Sequence, residues 1–326
     1  MTVRSKLLRL LRVRLLIAVP VVAVVSMVTF LLASVAPFDP LVAYLGARFE
    51  RTSRDQRAVL ADQLGLDDSW YAIWGRWARD VLTAWDWGQS RSLARPVAEV
   101  LSDRLPWTLL LAGTALALAI GISLVLGVRA ARAPGSWTDR FATGLSYGMQ
   151  GTPPFVVALV AIGIFALLLD WLPVAGVAEG GADPTWGSIG RHLVLPAVVL
   201  ALSQVPWMLL NVRSSLLSAL QEDHVTAARS RGLPDRTVIW RHALPAALLP
   251  FVTVIGARLP ELVTGALLVE TVFSWPGLAS ATVDAAVSGD FPLLAAVTVL
   301  TSAAVLLGSI LADSVYLIVD PRVTDV

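Results

Sequence analysis

The sequence contains no cysteine, a single lysine (Lys6) and three histidines, and only 15% of its 326 residues are charged. Without cysteine there are no disulfides, no thiolate chemistry and no Cys-ligated zinc. His192, His224 and His242 form no HExxH pair, so neither a metal nor a cofactor is expected. A P-loop needs a lysine after its glycine-rich turn, which Lys6 does not supply, so the chain does not hydrolyse nucleotide by that route. Whatever energises it is another polypeptide or an ion gradient. No nucleic-acid partner is expected.

Apolar surface, by contrast, is abundant: 56% of the residues are hydrophobic and the mean hydropathy is +0.72. Soluble domains carry roughly 25% charged residues and under about 50% apolar ones. A soluble protein of this size could not hide so much apolar surface. The composition therefore predicts a polytopic membrane protein.

A helix crossing the bilayer needs about 20 mostly apolar residues. Six stretches qualify: 15–35, 107–128, 141–169, 193–216, 246–273 and 293–319. The first follows the basic residues Arg4, Lys6, Arg9, Arg12 and Arg14, as a signal peptide would. Its apolar run exceeds the usual ~7–15 residues, however, and it reads as a retained helix. Arg129, Arg132 and Arg140, and then Arg229, Arg231, Arg236 and Arg241, share one side with the N-terminus. Asp170, Glu179, Asp183, Asp284 and Asp290 lie in connections on the other side. This bias predicts a cytoplasmic N-terminus (1–35 including the first span), an extracytoplasmic helical insert (36–105), a transmembrane core of five helices (106–319) and a cytoplasmic C-terminus (320–326). Within the insert, 52–64 has helical spacing, and Trp70, Trp74 and Trp77 follow at i, i+4, i+7. Two readings fit that helix: a cap lying at headgroup level, or a docking surface for an external partner.

Residues 218–245 are more than a connection between membrane helices, which needs only a few residues. They spell helix, stop, helix. Arg229 and Arg231 complement the last turn of the first helix, Gly232 suits a left-handed cap, and Pro234 forbids continuation. Asp235 is the expected cap of the second helix, which presents Ile239 and Ala243 on one face and ends near Pro245. Such an elbow suits insertion into a groove on a soluble partner.

The pattern Thr226-Ala227-Ala228-x3-Gly232, nine residues, then His242-x-Leu244-Pro245 resembles the EAA loop of binding-protein-dependent ABC importers. Thr226 and His242 depart from the general pattern in the manner of the dipeptide/oligopeptide/nickel branch. Further matching motifs include Pro37-x-Asp39-Pro40, Leu64-Gly65-Leu66-Asp67, Trp87-Gly88-x-Ser90 and Arg104-Leu105-Pro106. Others are Pro153-x-Phe155, Trp171-Leu172-Pro173, His192 to Pro196, Arg213-Ser214-Ser215, Glu270-x-x-Phe273-x-Trp275-Pro276-Gly277 and Asp320-Pro321-Arg322. The external insert resembles the B-type subunit. The resemblance implies an all-α, six-span type I permease that pairs with a second homologous permease, two ABC ATPase subunits and an extracellular solute-binding protein. It also implies that Glu222, Asp223, Thr226, Ala227, Ala228, Arg231, Gly232, His242, Leu244 and Pro245 form the ATPase-coupling loop. The implied cargo is di- or oligopeptides, with nickel or metal chelates and glutathione-like peptides as alternatives.

Gly144-Leu-Ser146-Tyr-Gly148 matches a nucleophile elbow, but that chemistry needs a strand-to-helix turn and a histidine base, and Ser146 falls in an apolar span. No enzyme activity is expected. Arg258 and Glu261 fall in the middle of span five, where an isolated arginine costs about 2.5–3.5 kcal/mol. At i, i+3 they form either a self-satisfied pair between helices or part of a translocation path meeting the charged ends of a peptide. Gln150-Gly-Thr-Pro153-Pro154 predicts a kink in span three, with Gln204 and Asn211 in span four as further path candidates. Asp313 reads as a snorkelling or interface carboxylate. The rival class is an ion-coupled secondary transporter, which explains the composition but not the helix-stop-helix loop.

Overall fold

The computed structural model describes residues 3–35, 41, 45–63, 68–90 and 92–319. The motifs Pro37-x-Asp39-Pro40, Leu64 to Asp67 and Asp320-Pro321-Arg322, and the expected C-terminal segment 320–326, lie outside the described residues. The described chain is overwhelmingly helical. Helix α1 (Val3–Val35) is followed by a 3-10 turn (Gly46–Arg51), α2 (Arg54–Gln63), α3 (Trp70–Ala84) and a two-stranded hairpin of β1 (Gln89–Ser90) and β2 (Arg95–Pro96). Then come α4 (Val97–Arg132), α5 (Trp137–Gln150), and α6 (Pro154–Ala161) with a π-helical extension (Ile162–Leu168). Helix α7 (Trp186–Ala219) leads into α8 (Asp223–Ser230), and α9 (Asp235–Thr237) runs through a π turn (Val238–Ala243) into α10 (Leu244–Val272). Helices α11 (Leu278–Ser288) and α12 (Phe291–Val319) complete the chain.

Among the described residues, five helices are long and apolar enough to cross a membrane, and the pair α5 and α6 makes a sixth if counted as one broken span. That pair is more than the expected kink: the axes differ by 111°. The cause is local. Gly151 ends α5, and Pro153 (φ −59°, ψ 140°) is extended, so Pro154 starts a new helix at the position that tolerates a missing N–H. The expected spans also begin late. Helix α4 starts at Val97 and passes through the expected boundary at 105/106, because residues 97–105 are amphipathic: Val97, Val100 and Leu101 are buried while Glu99, Ser102 and Asp103 are exposed. Helix α7 starts at Trp186, fixed by a capping box in which Thr185 and Ser188 each satisfy the other's backbone N–H.

The chain divides into two compact units. One comprises residues 1–14, 109–275 and 307–326; the other comprises 15–108 and 276–306. In the second unit, Trp87, Val97, Val100 and Leu101 pack with Leu278, Ala281, Ala285 and Leu293 in a buried cluster. The hairpin is stapled to the start of α12 by Asp290, which is fully buried. Its carboxylate accepts from the Ser90 hydroxyl (2.7 Å), the Ser92 backbone N–H (2.9 Å) and the Ser92 hydroxyl (2.8 Å). Asp290→Ala would leave a buried hydroxyl without its acceptor, so a loss of about 1–3 kcal/mol is expected, read as a lower Tm of the detergent-purified protein. In this unit two tryptophans of α3 contact other parts of the chain. Trp74 Nε1 donates to Ser26 Oγ of α1 (3.0 Å), and the Trp77 ring packs on Phe30 and Trp87 at centroid distances of 5.3 and 6.0 Å. The face left exposed carries Tyr71, Leu82 and, at its end, Trp85.

In the first unit α7 is the central element, packed against α5, α6 and α10. Its close approach to α4 depends on Gly127, where a Cβ would come within 2.9 Å of the Val212 side chain. Asp313 forms an ion pair with Arg14 (2.5 Å), a charge contact rather than an aligned hydrogen bond, which ties α12 to the start of α1.

Candidate functional site

The elbow forms as helix, stop, helix. Gly232 is left-handed (φ +73°), and the end of α8 is a Schellman arrangement: Leu233 N–H donates to the Ala228 carbonyl (3.4 Å) and Gly232 N–H to that of Arg229 (2.9 Å). Two details differ from expectation. Pro234, not Asp235, is the N-cap: it is extended (ψ 143°) and its carbonyl receives the first helical N–H groups, those of Thr237 and Val238. Asp235 sits one position later, in the first turn, where its charge still favours the helix dipole. The second helix also does not end near Pro245. The widened π turn before it relieves the clash a proline ring makes with the preceding turn, and the helix runs on as α10.

The coupling-loop candidates divide by burial. Glu222, Asp223, Thr226, Ala227, Arg231, Gly232 and Pro245 are exposed, and His242 is half-buried. Ala228 and Leu244 are buried, with Val225, Val238, Ile239 and Ala243, so they anchor the elbow rather than face a partner. Spacing alone did not reveal His224. Its Nε2 lies 3.2 Å from the His242 carbonyl and its Nδ1 3.1 Å from Glu222, bracing one limb of the elbow against the other. Arg229, Arg236, Arg241 and Trp240 complete a basic outer surface. The elbow is continuous with α7: Leu220, Gln221 and Glu222 N–H groups donate to Leu216, Ser218 and Ala219 carbonyls at 3.0, 3.0 and 3.2 Å.

Of the path candidates, Arg258 and Glu261 form an ion pair on α10. The Arg258 guanidinium also lies over the Trp207 ring of α7, 4.1 Å from its centroid. Arg258 keeps 15% side-chain exposure and Glu261 58%, so this is not a sealed pair between helices. Gln204, Trp207 and Asn211 share one face of α7, at i, i+3 and i+7. Gln204 donates to Ser203 Oγ (3.0 Å), while its Oε1 and the Asn211 Oδ1 are enclosed with no hydrogen-bond partner among the described residues. Gln150 and Pro153 are exposed at the α5–α6 break, and Pro154 is half-buried there. No hydrogen bond joins the break to the Arg258 cluster among the described residues. Trp207 carried no distinguishing signal among 12 tryptophans.

Two other motifs resolve into structure. Ser146 is buried and its hydroxyl donates to the Ala142 carbonyl (2.8 Å), a helix-packing residue rather than a nucleophile. Glu270, Phe273 and Trp275 are all buried at the end of α10, where Trp275 N–H donates to the Glu270 carbonyl (2.8 Å).

Long apolar helices, a broken span and an exposed helical elbow at the end of α7 define an all-α, membrane-embedded protein. The family of the binding-protein-dependent transport system inner membrane component matches residues 123–325. The oligopeptide transport system permease protein AppB of Bacillus subtilis (strain 168) is 32% identical, over 95% of this chain and 97% of that protein. The probable peptide ABC transporter permease protein y4tP of Sinorhizobium fredii (strain NBRC 101917 / NGR234) is 33% identical, over 95% of this chain and 97% of its own length. A chain in the crystal structure of an amino acid ABC transporter with histidines is similar at TM-score 0.49 and 16% identity, covering 69% of this chain and 95% of that one. The chain belongs to the family of binding-protein-dependent transport system inner membrane components. It is thus a multi-pass membrane permease of the all-α, type I class rather than an enzyme, and it acts with ATPase and binding-protein partners.

Proposed function

We propose that the chain imports peptides as one of two homologous permease subunits, docked on two ATPase subunits and served by an extracellular solute-binding protein. The carrying observation is the elbow, an exposed and internally braced helix–turn–helix that is hydrogen-bonded without a gap to α7 and helical without a gap into α10. Closure of the ATPases pushes the elbow, and spans four and five rock between outward- and inward-open states. The basic residues around the elbow support a cytoplasmic position for it and both termini, with residues 36–105 outside.

The peptide relatives support the cargo, and so does the chemistry of the α7–α10 face. Arg258 offers a cation to a peptide carboxylate and Glu261 an anion to a peptide ammonium. An exposed carboxylate at mid-span is costly against lipid, which favours water or protein there. The test is uptake into proteoliposomes carrying the assembled complex. Labelled di- and oligopeptides are expected to accumulate only with ATP inside and loaded binding protein outside. Uptake driven by an ion gradient without the ATPases overturns the reading, and uptake of a nickel chelate in place of peptide overturns the cargo.

A further inference from the structure

Asp139 and Arg213 stand outside every role described so far. Asp139 is 5% exposed, and its carboxylate is surrounded by donors. Arg213 grips it with both arms of its fork, Nε to Oδ1 at 2.5 Å and Nη2 to Oδ2 at 2.9 Å. The Gly135 N–H adds a bond of 2.8 Å to Oδ2, and the Thr143 hydroxyl lies 3.4 Å from Oδ1. Ser136 caps the same helix start by accepting from the Asp139 N–H (3.3 Å). The carboxylate thus locks the turn before α5, the first turn of α5 and the foot of α7 into one piece. Bidentate geometry fixes orientation as well as distance, which a single contact would not. Val212, beside Arg213, is seated against Gly127 with no room for a methyl group, so the foot of α7 has little freedom to slide.

The place of this lock matters. Arg213 is six residues from the end of α7, where the backbone passes without a gap of hydrogen bonding into the elbow. Asp139 opens α5, which ends at Gln150, where the axis turns through 111°. We propose that the Asp139–Arg213 clamp is a positioning device that carries elbow motion into span three, so that the α5–α6 break moves with the ATPases and not only spans four and five. The proposal rests on the elbow reading above. A buried pair of this geometry is costly to break from one side, since the other charge is left enclosed. That makes it a strut rather than a latch, staying closed through the cycle while the elements around it rearrange.

The cysteine-free chain allows paired spin labels in the assembled complex. Ser230→Cys in the elbow with Gly148→Cys in α5 reports whether the two move together; Gly148 is exposed with open space at its Cβ. Ser230→Cys with Leu82→Cys in α3 reports whether the elbow moves at all. Between nucleotide-free and ATP-trapped states the second distance is expected to change and the first to stay fixed. In Asp139→Asn the first distance should change too, and peptide taken up per ATP should fall at least about threefold, the scale of coupling changes from single residues. A first distance that changes in the unsubstituted clamp overturns the strut without touching the elbow reading. A second distance that never changes removes the elbow reading and the strut with it. The comparison of states needs no change at Asp139, so it answers even if Asp139→Asn does not assemble.

Discussion

Gly232→Trp is expected to reduce ATP-driven uptake to background while the chain still inserts and assembles in the membrane. Two effects combine. At φ +73° an L-residue costs roughly 1–2 kcal/mol, which loosens the bonds from Gly232 and Leu233 that end α8. Beyond its chain neighbours, no heavy atom lies within 4 Å of a Cβ built at Gly232, and the residue is exposed, so the side chain leaves the backbone into open space at the outer surface. The side chain is therefore tolerated by the fold and placed where a partner groove would have to close. Gly232→Asn separates the two, because asparagine accepts the left-handed region with a small side chain; it should keep most uptake. ATPase activity stimulated by loaded binding protein should fall with uptake in the tryptophan variant. Normal uptake there, with membrane levels unchanged, would show that the elbow contacts no moving partner.

Arg258→Ala is expected to assemble normally and lose about tenfold or more of peptide uptake, the scale of one lost charge-assisted contact. Survival of assembly follows from exposure: Glu261 is 58% exposed, so losing Arg258 does not strand a buried anion. Truncation also frees the Trp207 ring from its guanidinium cover. Arg258→Lys should recover only part of the loss, because an ammonium keeps the charge without the planar stack and fork. Capped peptides lacking a free carboxylate should be less sensitive to the substitution than free ones. A variant that is lost from the membrane would make the pair structural, and one with unchanged uptake would remove Arg258 from the path.

What could be read from the sequence was local. Gly232 and Pro234 announced the elbow because a left-handed glycine and a proline impose their geometry on the nearest few bonds, whatever lies beyond. The hydrophobic runs located the spans for a similar reason, but fell short at α4 and α7, whose first turns are amphipathic and bury only one face. The Gly-Thr-Pro-Pro run marked a break in span three because Gly151 and Pro153 act on the nearest bonds, though the run did not give the 111° angle. Long-range pairs were out of reach. Asp139 and Arg213 are 74 positions apart, Trp74 and Ser26 are 48, and nothing in either neighbourhood names the other. Trp207 shows the same limit: its apolar ring fits any span, and only the guanidinium above it distinguishes it from its neighbours.

Because the chain has no cysteine, a single Ala227→Cys gives one attachment point on the exposed face of α8. A short bifunctional cross-linker attached there, in the assembled complex, should capture the ATPase subunit. Leu82→Cys, on the segment we propose lies outside, should not. Failure of every exposed position from 226 to 236 to reach the ATPase, in a complex that still imports peptide, would contradict the account that this elbow is where the membrane subunit meets its motor.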